Sequence, residues 1–155
     1  MQRELDHTEE PEWLPLPALM ETARSLFFDE FHVRLSEAGY GEIRPGHGCV
    51  FRFVEPAGSR LTDLAERAGY TKQAVGEVVD DLERMGYVKR VADPADRRAK
   101  IIRLTKRGEA ARKTARTIFA QIEERWAKEL GVRNVATVRR TLERATAGAG
   151  LRTAA

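Results

Sequence analysis

Apolar residues at Leu16, Leu19, Met20, Ala23, Leu26, Phe27, Phe31 and Leu35 recur at the three- and four-residue spacing of one helical face. The spacing predicts a long helix from Leu16, ended by Gly39 and Gly41. In EIRPGHGCVFRFVEPAGS, Pro45 suits a first helical position, while Gly46 and Gly48 each weaken a helix there by about 1 kcal/mol relative to Ala. A short helix over Pro45–Val54 is predicted, then a turn at Glu55-Pro56-Ala57-Gly58. Thr62-Asp63 reads as a cap followed by an acid facing the helix dipole, with Leu64, Ala65 and Ala68 inward and Gly69 as the stop. Thr71 caps another helix, whose inner face is Val75, Val78, Val79, Leu82 and Met85 and whose stop is Gly86. YVKRV and AKIIRLT then read as strands around DPADRR, with its turn residues Asp93-Pro94 and Asp96. Thr105 caps a helix with Ala111, Ala115, Ile118, Phe119, Ile122, Trp126 and Leu130 on one face. Gly131 breaks it, and Val135, Val138, Leu142 and Ala145 mark a last helix.

Two short helices joined by a tight Gly-containing turn make a helix-turn-helix. With a hairpin after it, the order is a winged helix. The fold class expected is mainly α with a small β-hairpin wing: a winged helix-turn-helix core flanked by long N- and C-terminal dimerisation helices. The flanking stripes carry Phe27, Phe31, Phe119 and Trp126, more apolar surface than a small winged helix covers. A second copy of the chain is the expected cover, and folding back on the same domain is the alternative. Dimerisation contacts are expected from Leu19, Leu26, Phe27, Ile122, Trp126, Val138 and Leu142.

The 155 residues suit one domain, and the 42% hydrophobic content suits a soluble one. No apolar run approaches the roughly 18 residues of a membrane span, so no membrane partner is expected. The N-terminus MQRELDHTEEPEWLP is acidic and has no apolar core of a signal peptide, which points to a cytoplasmic setting. The single cysteine, Cys49, excludes an internal disulfide framework and a Cys-rich zinc site. His32, His47 and Cys49 form no recognised ligand pattern; Cys49 reads as core, with a redox thiol as the alternative. There is no Gly-rich phosphate loop, nucleophile elbow or HExxH, so neither an enzyme, a cofactor nor a metal is expected.

Charge changes the picture more than composition does. The net charge of +3 conceals a polarised chain. The arm carries Glu4, Asp6, Glu9, Glu10 and Glu12 against Arg3. The wing region carries Arg84, Lys89, Arg90, Arg97, Arg98, Lys100, Arg103, Lys106 and Arg107 against Asp93 and Asp96. Double-stranded DNA is the expected partner for such a surface. The chain then divides into an acidic arm over 1–14, an N-terminal dimerisation helix over 15–44, a DNA-binding domain over 45–108, C-terminal dimerisation helices over 109–147 and a frayed tail over 148–155.

The second helix of a helix-turn-helix enters the major groove with its N-terminal turns, here Thr71, Lys72, Gln73, Ala74, Gly76 and Glu77. Gln73 matches adenine N6 and N7, and Lys72 reaches a guanine edge or a phosphate. Gly76 would permit close approach. Glu77 is repelled by phosphates unless a cytosine amino group donates to it. An ordinary solvated face is the alternative for Lys72 and Gln73. The tip of the wing suits an Arg in a narrow minor groove, with Arg97, Lys89 and Arg90 at phosphates or in solvent. Ser59 and Thr62, near the start of the first helix of the pair, are candidate phosphate contacts, although capping explains Thr62 equally well.

The pattern Asp96-x-Arg98-x5-Leu104-Thr105-x2-Gly108, in register after LTDLAERAGYTKQAVGEVVDDLERMGYVKRVADPADRR, resembles the MarR (multiple antibiotic resistance regulator) family over about Leu16 to Ala145. The resemblance implies a transcriptional regulator, with repression the expected direction, that binds a pseudo-palindromic operator as a homodimer. It implies Arg98 as the minor-groove residue, and Asp96 as the partner that sets its direction. Many relatives release DNA when a small, often aromatic, molecule binds. A small aromatic or hydrophobic effector is therefore implied, with Phe31, His47, Phe51 and Phe119 as candidate lining. Gly76-Glu77 departs from the Thr-Arg pair common in the family. The alternative reading is a winged-helix protein-interaction module without specific DNA binding.

Overall fold

The computed structural model describes residues 14–148. Apart from Leu14 and Gly148, the acidic arm and the tail lie outside the described residues. Helix α1 spans Leu16–Leu35 and runs into a wider turn, Ser36–Tyr40, where Gly39 takes φ +92° and reverses the chain. A tight turn at Pro45–His47 leads into α2 (Gly48–Phe53). Then come α3 (Leu61–Ala68), α4 (Lys72–Arg84), β1 (Val88–Ala92), β2 (Lys100–Leu104), α5 (Lys106–Leu130) and α6 (Val132–Thr146). The order is the winged helix that the apolar periodicity predicts, with long helices on either side.

Local chemistry explains most boundaries. The Thr71 hydroxyl accepts from the Ala74 N–H at 3.1 Å, and the Thr105 hydroxyl from the Gly108 N–H at 3.1 Å. Both satisfy a donor that a helix start leaves unpaired. Gly69 ends α3 at φ +70°, the left-handed conformation that makes the turn of the pair tight. The expected cap at Thr62 is corrected. Helix α3 begins two positions earlier, on an extended Arg60 with no side-chain cap, so Thr62 lies within the first turn.

Strands β1 and β2 pair antiparallel from Val88↔Leu104 to Ala92↔Lys100. Ser59 joins them as a third short edge: its N–H donates to the Ile102 carbonyl at 3.0 Å, and its carbonyl accepts from the Ile102 N–H at 2.8 Å. The sequence carried no expectation of this bridge.

The core is continuous. Val50, Phe53, Leu64, Val75, Val79, Leu82, Tyr87 and Ile102 fill the winged helix, and Phe31, Leu35, Ala111, Ile118 and Ile122 join it to α1 and α5. The expectation that Ile122 serves a dimer contact is corrected: its side chain is fully buried within its own protomer. Phe27 and Trp126 are half-buried and meet edge to face at 5.5 Å. Tyr87 braces the wing to the segment after α1, donating to Glu42 at 2.5 Å beneath the Arg107 guanidinium. Burial, and then the bond to Glu42, push the Tyr87 hydroxyl up to about 12.

Helix α6 is different. It is amphipathic yet has no buried residue, and Val138 and Leu142 remain 58% and 39% exposed. Leu16, Leu19, Met20, Leu26 and Val33 of α1 are also exposed. Among the described residues, no helix is long and apolar enough to cross a membrane.

Candidate nucleic-acid interface

Helix α4 is held from behind. Val75, Val79 and Leu82 are buried, which leaves Thr71, Lys72, Gln73, Ala74 and Glu77 exposed. Gly76 lies at the side of the helix rather than at its outer face. A Cβ built on it would stand 3.7 Å from Leu61 Cδ2 of α3, an ordinary contact. This corrects the idea that Gly76 opens the way to a duplex: its bare face looks toward the neighbouring helix. Gly76→Ala is accordingly expected to stabilise the protein by about 0.5–1 kcal/mol, since a helix-interior glycine costs that much relative to alanine. Urea unfolding measures it; a lower midpoint in the variant refutes the contact geometry.

The acids of α4 beyond its second turn are neutralised by neighbours. Asp80 and Glu83 share the Arg90 guanidinium at 2.6 and 2.5 Å. Asp81 takes Arg44 at 2.6 Å and Arg84. Arg90 is therefore ion-paired rather than free for a phosphate, a correction: its half-buried head group is engaged by α4. The strand order places it there, because β1 leaves α4 through a tight turn and runs back beside it.

The wing is tied down at its base and open at its tip. Arg60, at the start of α3, donates through Nε and Nη2 to Asp93 at 2.8 and 2.7 Å. The other Asp93 oxygen accepts from the Ala95 N–H at 2.9 Å. That N–H first, and then Arg60, hold the Asp93 carboxyl below the usual carboxylate range. Asp96 accepts from the backbone N–H of Arg98 at 3.0 Å. The expected Asp96–Arg98 pairing thus runs through the main chain rather than the guanidinium. It shapes the turn and leaves the side chain free. Arg97, Arg98 and Lys89 are exposed, with no ion-pair partner among the described residues.

Ser59 is corrected as a phosphate contact. It is buried, its hydroxyl accepts from the Glu55 N–H at 3.0 Å, and its backbone is consumed by the Ile102 bridge. Thr62 remains exposed beside Asp63.

The model of the MarR family matches residues 44–99. Over those residues the winged-helix core is similar to the MarR family. Among solved structures, the chain is similar to the reduced form of MarR from E. coli, with TM-score 0.74 and 22% identity over 87% of this chain and 98% of that one. It is similar to the transcriptional repressor CouR bound to a 23-mer DNA duplex, with TM-score 0.69 and 24% identity over 85% and 92%. It is also similar to CouR from Rhodococcus jostii RHA1 bound to p-coumaroyl-CoA, with TM-score 0.67 and 23% identity over 90% and 94%. At these identities the likeness is one of fold. No curated protein matches the chain.

Within this core, each of the four candidate effector residues is engaged by neighbours in the same protomer. Phe31 and Phe119 stack ring on ring at 4.2 Å between α1 and α5. Phe51 packs edge to face on Tyr87 at 5.9 Å. His47 is buried, its Nδ1 accepting from the Arg44 N–H at 3.0 Å and its Nε2 standing 3.7 Å from Asp81. Burial lowers its pKa, as does Arg44, against the opposing pull of Asp81. The rings fill the space themselves, so in one protomer all four are packing residues. An open groove of about 860 Å³ lies elsewhere, between the end of α1 and α5, with Arg34, Glu37, Lys113, Thr114 and Gln121 on its walls. Cys49 is half-buried and donates to the Gly46 carbonyl at 3.3 Å, and burial raises its thiol pKa.

Two site residues escaped sequence reasoning: Arg60 and Asp93. The Asp93-Pro94 dipeptide signals a turn. Nothing local signals that an arginine 33 positions upstream anchors it.

Proposed function

We propose that this chain is a sequence-specific DNA-binding transcriptional regulator. It acts as a homodimer, represses from a pseudo-palindromic operator, and is released by a small aromatic or hydrophobic effector. The observation that carries the reading is a division among the cations. Arg44, Arg60, Arg84 and Arg90, around the helix-turn-helix, are all ion-paired within the chain. Lys72 on the leading turn of α4 and Arg97 and Arg98 at the wing tip are exposed and hold no such partner among the described residues. A protein keeps cations unpaired on two projecting elements at little benefit to its own fold. They suit a duplex that meets α4 in the major groove and the wing in the minor groove. The DNA-bound and p-coumaroyl-CoA-bound CouR structures support the operator and effector parts by analogy of fold. The unburied apolar faces of α1 and α6 support the homodimer.

Fluorescence anisotropy tests it, with a duplex from the protein's own upstream region and a random duplex of equal length, across a salt series. Preferential binding of two protomers per upstream site is expected, with a steep salt slope. Arg98→Ala is expected to weaken it by about 1–3 kcal/mol, the worth of one good contact. Affinity unchanged within a few tenths rejects the wing assignment. No binding to either duplex at low salt leaves the protein-interaction module instead.

A further inference from the structure

The four acids of α4 are not treated alike. Asp80, Asp81 and Glu83 each face an arginine. Glu77 faces none: among the described residues its one polar partner is Gln73, whose Nε2 donates to Glu77 Oε1 at 3.4 Å. Both side chains are exposed. At 100° per residue they stand about 40° apart on the side of the helix opposite Val75, Val79 and Leu82. That is the outermost face of α4, the one that a duplex in the proposed orientation meets with its major groove.

An unneutralised carboxylate on that face is repelled by every phosphate it approaches. It is compatible with a duplex where a base edge donates to it. In the major groove the donors are the amino groups of cytosine and adenine. The adenine edge is claimed by Gln73, whose amide matches its donor–acceptor pair. The bond to Glu77 uses one of the two Gln73 N–H donors and fixes the amide. The second N–H remains for adenine N7, and Oε1 for the adenine N6 amino group. The carboxylate then has cytosine as its base partner.

We infer that Gln73 and Glu77 form a two-residue reading unit that selects an adenine beside a cytosine in each operator half-site. Gln73 contacts the adenine; Glu77 accepts from the cytosine amino group and orients the Gln73 amide. Four residues of helix advance about 6 Å, or about two base pairs at 3.4 Å each, which sets the spacing between the two bases. The inference rests on the proposed DNA-binding function and specifies the sequence it recognises.

Selection from a randomised duplex pool tests it, using the wild-type chain and the exposed-site variants Glu77→Gln and Gln73→Ala, with affinity for random DNA measured alongside. Wild type is expected to enrich half-sites holding an adenine and a cytosine within about two base pairs. Glu77→Gln is expected to relax the cytosine preference by about tenfold or more and to blur the adenine preference. Gln73→Ala is expected to lose the adenine. Both variants should keep the preferences contributed by the wing. The unit is overturned if wild type selects half-sites without that pair. It is equally overturned if Glu77→Gln raises affinity for all duplexes and leaves every base preference in place. If wild type binds no duplex even at low salt, the regulator reading itself fails and takes the unit with it, an outcome distinct from the other two.

Discussion

Gly108→Ala is expected to destabilise the fold by about 3 kcal/mol, at the upper end of overpacking costs, and to lower its melting temperature by roughly 10 °C. Gly108 is buried in the first turn of α5, where its N–H donates to the Thr105 cap. A Cβ there would stand 2.1 Å from the Tyr87 carbonyl oxygen, 3.1 Å from its carbonyl carbon and 3.2 Å from Leu104 Cβ. None of these atoms is the loose end of a side chain. The Tyr87 carbonyl is itself fixed, because it accepts from the Thr105 N–H at 3.0 Å. A methyl group must therefore push β1 away from α5 or break the cap. This accounts physically for the glycine that closes the Leu104-Thr105-x2-Gly108 pattern: the wing crosses the helix start too closely for any side chain. Chemical unfolding at fixed protein concentration measures the effect, since association would otherwise contribute. A loss below about 0.5 kcal/mol, within the range of ordinary surface substitutions, would show that β1 and α5 separate easily.

The second large effect concerns assembly. The double substitution Val138→Asp/Leu142→Asp is expected to convert the proposed homodimer into monomers at micromolar concentration and to abolish the proposed operator binding. The two residues lie one turn apart on α6, a helix with no buried residue. Burying a Val or Leu side chain contributes about 1.5–3 kcal/mol, and in a two-fold dimer each substitution counts twice. That exceeds the roughly 4 kcal/mol separating nanomolar from micromolar association. Because neither side chain is fully buried in the protomer, helix content should be largely unchanged by circular dichroism. Light scattering coupled to size exclusion reads the mass. A variant that remains dimeric, or a wild type that is monomeric, removes α6 from the interface.

The two cases differ in what a sequence reader could have seen. The α6 stripe is visible as spacing, because an amphipathic helix declares its apolar face every three to four residues. Its lack of cover within the protomer is not visible. That depends on where α5 carries it, and Ile122, which shares the expected dimer set, turns inward instead. In the same way, the carboxylates of α4 look alike along the chain. Only the fold brings Arg44 and Arg90 to three of them and none to Glu77.

What the sequence determined by itself was the order and type of the elements, the caps at Thr71 and Thr105, the hairpin, and the resemblance carried by its turn residues. All of these are written in interactions spanning a few positions, where apolar period, capping hydroxyls and glycine stops act directly. What only the tertiary structure decided was which groups are used up. Ser59 is consumed by a bridge to Ile102, Arg90 by α4, Asp93 by Arg60, and the aromatic rings by one another. A charge or a hydroxyl is available to a partner only if the fold leaves it unpaired. Pairing between positions tens of residues apart is set by packing, which no local pattern encodes.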